Sequence, residues 1–145
     1  MAIIASWNRS GSKVALVLFY GTKLSELLLF AKNSKGIFEA VELAEPDPVD
    51  LYHRRTNKTI PQPGDGFSVN AVGPWLDENT VSLVSGEAKQ TANPDQYTYI
   101  FAPFKAHIEG KNAKISEIHL IGPLSDKEGR GFERKWGDRY FSAHD

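Results

Sequence analysis

Short apolar or alternating runs, separated by turn residues, dominate the chain, and this pattern is typical of β-structure. Three such runs occupy residues 13–21, 25–32 and 37–43, and together they predict an antiparallel meander. A helix competes for residues 22–36, because the apolar residues of this segment also follow a 3.6-residue period. Its short length and the β-like runs on both sides favour a strand.

Prolines and glycines interrupt this pattern in the second quarter of the chain. Two prolines precede a stretch near Asp50 for which we predict one helical turn. Pro61 and Pro63 each fix φ and lack an amide donor, so their segment is predicted to be an extended loop that bends the chain. Strands are predicted to follow at residues 67–76 and 81–86.

The second half of the chain shows the same pattern of short apolar runs separated by turn residues. Residues 97–104 and 114–122 predict strands, and residues 110–112 predict a hairpin turn between them. From residue 125 onward the chain is charged, and Phe132 and Trp136 are spaced to share one face of a helix. We expect this segment to be a docked tail or a short helix that covers a sheet edge.

These elements predict a mainly β fold, an antiparallel sandwich or half-barrel of about seven to nine strands. One or two short helices, near Asp50 and near Phe132, would shade it into the α+β class. We predict that residues 1–145 form a single globular domain, with residues 125–145 as a charged, aromatic tail docked on it.

Charge and composition argue against several classes of function. The 17 basic and 18 acidic side chains nearly cancel, which argues against nucleic-acid binding as the main task. The absence of cysteine excludes disulfides, thiolate nucleophiles and zinc sites with sulfur ligands. It favours a cytoplasmic protein, with a periplasmic or secreted one left open if a leader has been removed. No apolar run approaches the roughly 18 residues that a membrane span needs, so we expect a soluble protein with no membrane partner.

Motifs for catalysis or cofactor binding are lacking: the chain has no phosphate-binding loop, dinucleotide-binding glycine pattern or nucleophile elbow. We therefore predict no cofactor, no metal and no catalytic residue, and favour a protein that is not an enzyme. The alternative is a small β-barrel hydrolase or ligand-binding protein. It would use His107 and His119, which lie on the two predicted strands of one hairpin.

The leading hypothesis is a non-catalytic module that binds another protein, such as a small inhibitor or a toxin-neutralising immunity-type protein. An acidic stretch between residues 39 and 50 and the loop at residues 61–67 are the predicted contact, because loops on a rigid sheet carry recognition. Tryptophans at strand ends either plug the sandwich or belong to the binding face. Unpaired sheet edges leave a homodimer open. The predicted partner-binding residues are Glu39, Glu42, Glu45, Asp47, Asp50, Asp65, Phe67 and Trp75.

Two basic clusters are candidate anion sites, and we assign Arg54, Arg55, Arg134 and Lys135 to them. Ion pairing with the neighbouring acidic stretch is the simpler interpretation of the first cluster. The second cluster lies in the C-terminal tail among aromatic residues, which gives a third hypothesis, nucleic-acid binding through this tail. Neighbouring acidic residues nearly neutralise it.

Overall fold

The computed structural model describes residues 2–21, 24–60 and 66–142, with residues 137–142 described as helical backbone alone. These ranges contain two antiparallel sheets with ten strands, and two helices. The prediction of a mainly β, antiparallel fold that shades into α+β is confirmed.

The first sheet is a meander in the order β1-β2-β3-β4. Its strands are β1 (Ala2–Trp7), β2 (Lys13–Tyr20), β3 (Leu24–Lys32) and β4 (Phe38–Val41). The pairing of β2 with β3 runs without a break from Lys13↔Ala31 to Tyr20↔Leu24, so the segment with the competing helical period is a strand, as predicted.

A long hairpin of β7 (Thr80–Gln90) and β8 (Tyr97–Glu109) forms the centre of the second sheet. Two short strands, β5 (Gly66–Ser68) and β6 (Ala71–Trp75), pair with β7. Two others, β9 (Asn112–Ser116) and β10 (Ile121–Leu124), pair with β8.

The ten strands exceed the predicted seven to nine for two reasons: two predicted strands are each divided, and no strand was predicted where β1 lies. The strand predicted at 67–76 breaks at Asn70, whose side chain accepts a hydrogen bond from Gly86 N and donates one to Ser25 O. The strand predicted at 114–122 breaks at Glu117, whose φ of 50° is incompatible with a continuous strand. Both breaks arise from backbone geometry that apolar patterning does not report.

The main core lies between the two sheets, where alternate residues of facing strands interdigitate. Val17 and Leu29 of the first sheet belong to the same buried cluster as Leu83 and Phe104 of the second. The opposite side of each strand therefore faces away from this core, because successive side chains point to opposite faces.

The outward side of the second sheet is covered by α2 (Asp126–Ser142). Phe132 and Trp136 of this helix pack on a second cluster that includes Tyr99 and Phe101. The sequence suggested a short helix at a sheet edge, whereas α2 is 17 residues long and contacts a sheet face. Packing of its aromatic residues stabilises a helix that several glycines weaken locally.

The connection between the sheets contains α1 (Pro48–Thr56), which contacts β7 and β8. Asp47 caps this helix: its carboxylate accepts hydrogen bonds from Val49 N and Asp50 N. Asn57 ends it in the left-handed conformation. In the described part of the chain, neither helix combines the length and the apolar character needed to cross a membrane.

Candidate functional site

The predicted acidic contact residues do not form one patch. Glu39 is exposed on β4 and accepts a hydrogen bond of 2.9 Å from Asn33 Nδ2. Glu42 is exposed and pairs through its backbone with the turn after β8. Asp50 forms an ion pair of 2.8 Å with Arg54 within α1. Asp65 lies outside the described residues.

The two aromatic residues predicted in the contact pack elsewhere. Phe67 is half-buried and meets Tyr97 edge-on, with ring centroids 5.0 Å apart, on the side of the second sheet that α2 covers. Trp75 packs against the main core and donates a hydrogen bond of 2.9 Å from Nε1 to Ser6 O. Trp75 therefore closes one end of the sandwich rather than adjoining the acidic residues.

Glu45 and Asp47, in contrast, lie together with Glu87 around one pocket, which we call the acidic pocket. Its volume is about 130 Å³. Since a water molecule takes roughly 30 Å³ in the liquid, the pocket has room for the end of one long side chain. The residues that line it are Glu45, Pro46, Asp47, Pro48, Ser68, Asn70, Ser85, Gly86 and Glu87.

Local structure explains how these residues meet. On β7, Ser85 and Glu87 point to the same face of the sheet as Leu83, which belongs to the main core. Farther along the strand than Leu83, this face meets the segment that precedes α1, and the pocket lies there. Pro48 is buried at the first turn of α1 and fixes the start of the helix beside β7. The cap residue Asp47 is thereby held at the pocket.

Ser85 is the unusual member of this set. It is a polar residue that is only 4% exposed, and it lines the pocket beside the acidic residues. Asn70 beside it has its amide nitrogen bonded to Ser25 O and its amide oxygen bonded to Gly86 N. Ser85 therefore places a hydroxyl group at the pocket, and a hydroxyl can both donate a hydrogen bond to a ligand and accept one from it.

The electrostatics of the pocket are strongly negative. Desolvation raises the pKa of Glu45, and the nearby carboxylates of Glu26 and Asp47 raise it further, although its side chain still reaches solvent. Desolvation also raises the pKa of Glu87, opposed by Lys89 and reinforced by Asp47. Lys89 Nζ lies 3.6 Å from Glu87 Oε2 and only partly offsets the charge.

This arrangement favours an organic cation over a metal ion. Within residues 2–21, 24–60 and 66–142, no three His, Asp or Glu side chains are placed to bind one metal ion. Carboxylates spread around a pocket instead suit a group that donates several hydrogen bonds, such as the ammonium of lysine or the guanidinium of arginine.

Ser85 and Glu87 were not predicted as site residues, although the sequence of β7 carries a signal for them. In β7 the residues on the core side are Val81, Leu83, Ser85 and Glu87, so an apolar alternation continues into two polar positions. Polar residues at core-side positions of an otherwise regular strand indicate a site or a solvent-filled gap.

The predicted anion-site residues lie on two helices. Arg54 pairs with Asp50, which agrees with the simpler interpretation of its cluster, and Arg55 donates a hydrogen bond of 3.3 Å to Ile118 O. Arg134 and Lys135 are exposed on α2. The structure does not bring the two pairs of basic residues to a common pocket among those it describes.

The two histidines of the alternative hypothesis are well separated. His107 Nδ1 lies 2.8 Å from Thr80 Oγ1, its cross-strand neighbour. His119 N donates a hydrogen bond to Pro103 O, so His119 lies beside Pro103. Pro103 is four residues from His107 along β8. At about 3.3 Å per residue, the two backbones are about 13 Å apart, too far for an acid-base pair.

A second notable surface, besides the acidic pocket, lies on the first sheet. We call it the outer face, and it is formed by the side chains of β1–β4 that point away from the main core. Leu16 and Leu18 of β2 and Leu28 and Phe30 of β3 are half-buried there. At the rim, Trp7 is 49% exposed. Its ring meets that of Phe38 from the opposite edge strand, with centroids 5.6 Å apart.

The chain matches no protein-family model, no curated protein and no solved structure. Its function must therefore be inferred from the geometry and chemistry of its own surfaces.

Proposed function

We propose that this chain is a non-catalytic protein-binding module, and that its acidic pocket receives a lysine or arginine side chain of the partner protein. The observation that carries the proposal is the convergence of Glu45, Asp47 and Glu87 on a pocket that is also lined by the buried residue Ser85. A finer proposal, a small inhibitor or a toxin-neutralising immunity-type protein, is supported by the size of the chain and by this acidic contact.

The raised pKa values of Glu45 and Glu87 support a binding role. Both carboxylates are held in a surrounding that disfavours their charge, so an entering cation gains more than it would at an exposed acid. A basic side chain that enters this pocket is largely desolvated, and contacts of that kind dominate the energetics of interfaces. Unfavourable electrostatics in the free protein are thus relieved in the complex.

The pocket itself can be tested without knowing the partner. In an NMR titration with Nα-acetyl-lysine amide and Nα-acetyl-arginine amide, we expect saturable shifts at the amides of Asn70, Gly86 and Glu87. The neutral analogues with norleucine and citrulline should leave these amides unchanged. Equal shifts with the neutral analogues would show that the pocket does not select a cation and would overturn its assignment.

Paired variants connect the pocket to protein binding. A pull-down from the native source should recover a stoichiometric partner with the wild-type chain, and charge reversal at Glu45 and Asp47 should weaken that complex at least about tenfold. The double substitution Glu45→Gln with Glu87→Gln should do the same. Glu109→Gln, which removes an exposed acid at the far end of β8, is the matched control and should bind normally. Failure to recover any partner above background would contradict the binding function, whatever the pocket does with lysine amide.

A further inference from the structure

We infer that the outer face of the first sheet is the interface of a two-fold symmetric dimer of this chain. The proposal concerns a different surface from the acidic pocket. Glu26 acts electrostatically on Glu45 in that pocket, but the two proposals are tested with different variants and different measurements, so either one can fail without the other. Its starting point is a sheet face that is mostly apolar and that no described element covers.

The sequence of the central strands has the character of strands covered on both sides. In β2 the inward residues Ala15 and Val17 alternate with the outward residues Leu16 and Leu18, and β3 repeats this with its run of leucines. Strands that are apolar on both sides are typical of sheets buried on both faces. One side of this sheet meets the second sheet, so the other side lacks its cover.

The exposed side chains at the rim lead to the same conclusion. Leu24 is 61% exposed and Ile3 is 58% exposed, at the end of the outer face opposite Trp7. Scattered exposed apolar residues are normal on protein surfaces, but a contiguous face of this kind marks an interaction site.

The size of the face fits a second copy. Four strands spaced about 4.8 Å apart, each with about seven residues rising 3.3 Å, cover roughly 440 Å² in projection. Two copies together contribute about 900 Å², close to the roughly 1,000 Å² that a specific interface requires. Sheets stacked face to face typically pack about 10 Å apart.

The charges on the face are self-complementary. On the outward side of β3, Glu26 lies near one end and Lys32 at the other, three residues on either side of Leu29. A two-fold axis that crosses β3 at right angles at the level of Leu29 places Glu26 of one copy opposite Lys32 of the other. An isologous interface needs this kind of self-matching, and it forms the pair twice.

The first test is the mass in solution. We expect light scattering after size exclusion to give twice the mass of one chain at about 100 μM, with dissociation on dilution, because a dimer obeys mass action. Leu28→Lys places a charge in the centre of the face and should raise the dimer dissociation constant at least about tenfold. Ser116→Lys is the control: it adds the same charge at an exposed position of β9, in the second sheet, so the dimer should persist.

A charge exchange tests the predicted symmetry and remains informative if Leu28→Lys does not fold. Glu26→Lys alone should weaken the dimer, because it brings like charges together twice, and adding Lys32→Glu should restore it. Circular dichroism checks that each variant keeps its β-structure. A monomeric wild-type chain at about 100 μM would overturn the proposal and assign the face to another partner. A dimer that is insensitive to Leu28→Lys, or a double variant no tighter than Glu26→Lys, would also overturn it.

Discussion

Ser6 Oγ donates a hydrogen bond of 2.8 Å to Gly73 O, which joins the first sheet to the second across 67 residues of sequence. The contact is buried, with Ser6 fully inaccessible to solvent. Trp75 strengthens the same junction by donating to the backbone oxygen of Ser6. The two sheets are therefore connected at this end of the sandwich by directional bonds as well as by apolar contacts.

Replacing Ser6 by alanine should lower the free energy of unfolding by about 1–3 kcal/mol, because the buried oxygen of Gly73 loses a donor. Urea denaturation followed by circular dichroism measures this difference. Ser10→Ala serves as the control, since the hydroxyl of Ser10 is exposed and its hydrogen bond to Glu78 should contribute less than about 0.5 kcal/mol. Equal losses in the two variants would show that the junction is not a special source of stability.

Local patterning was enough to predict most of the regular parts of the fold, although β1 was not predicted. The three runs between residues 13 and 43 became β2, β3 and β4, and the turn predicted at residues 110–112 connects β8 to β9. These predictions succeeded because the spacing of apolar residues and the turn chemistry act over a few residues.

The breaks and the site depend on contacts that are distant in sequence. Asn70 ends β5 through bonds to Ser25 and Gly86, and no pattern near residue 70 reports those partners. The acidic pocket needs Glu45 beside Glu87, which only the position of α1 on β7 produces. The sequence shows that both sides of β2 are apolar. This pattern indicates an interface only when the structure shows that no other element covers one of the two sides.

Two glycines of α2 give a second prediction. A Cβ at Gly129 would overlap the ring of Tyr99, whereas a Cβ at Gly131 would meet no atom within 4 Å. Gly129→Ala should therefore displace α2 and destabilise the protein, while Gly131→Ala should stabilise it by about 0.5–1 kcal/mol through helix propensity. Thermal unfolding of both variants checks this. A stabilised Gly129→Ala would mean that α2 does not dock on Tyr99 in solution.

The cap of α1 gives a third prediction that separates charge from hydrogen bonding. Asp47→Asn keeps an oxygen for Val49 N and Asp50 N, so stability should change little. Asp47→Ala removes the cap and should cost about 1 kcal/mol. In the lysine amide titration both variants should bind more weakly, because both remove a pocket charge. If Asp47→Asn bound lysine amide as the wild type does, the carboxylate of Asp47 would have no part in binding.

The pH dependence of stability gives a fourth prediction, on Glu45. Desolvation and the carboxylates of Glu26 and Asp47 raise the pKa of Glu45, so the folded state disfavours its charged form. That cost is present at pH values above the raised pKa and disappears as the pH falls through it. Glu45→Gln should therefore raise the unfolding temperature at about pH 7, with a gain of less than about 1 kcal/mol because the side chain still reaches solvent.

The gain from the same substitution should be smaller near pH 4, because the stability difference is lost as the pH falls through the raised pKa toward the ordinary pKa of a glutamate. Glu109→Gln is the control for a general effect of removing one negative charge, since Glu109 is exposed at the end of β8. Thermal unfolding of the three proteins at the two pH values gives the comparison. A gain that persists unchanged at low pH, or one that Glu109→Gln reproduces, would mean that the pocket does not hold Glu45 in an unfavourable surrounding, and the electrostatic basis for cation binding would be lost.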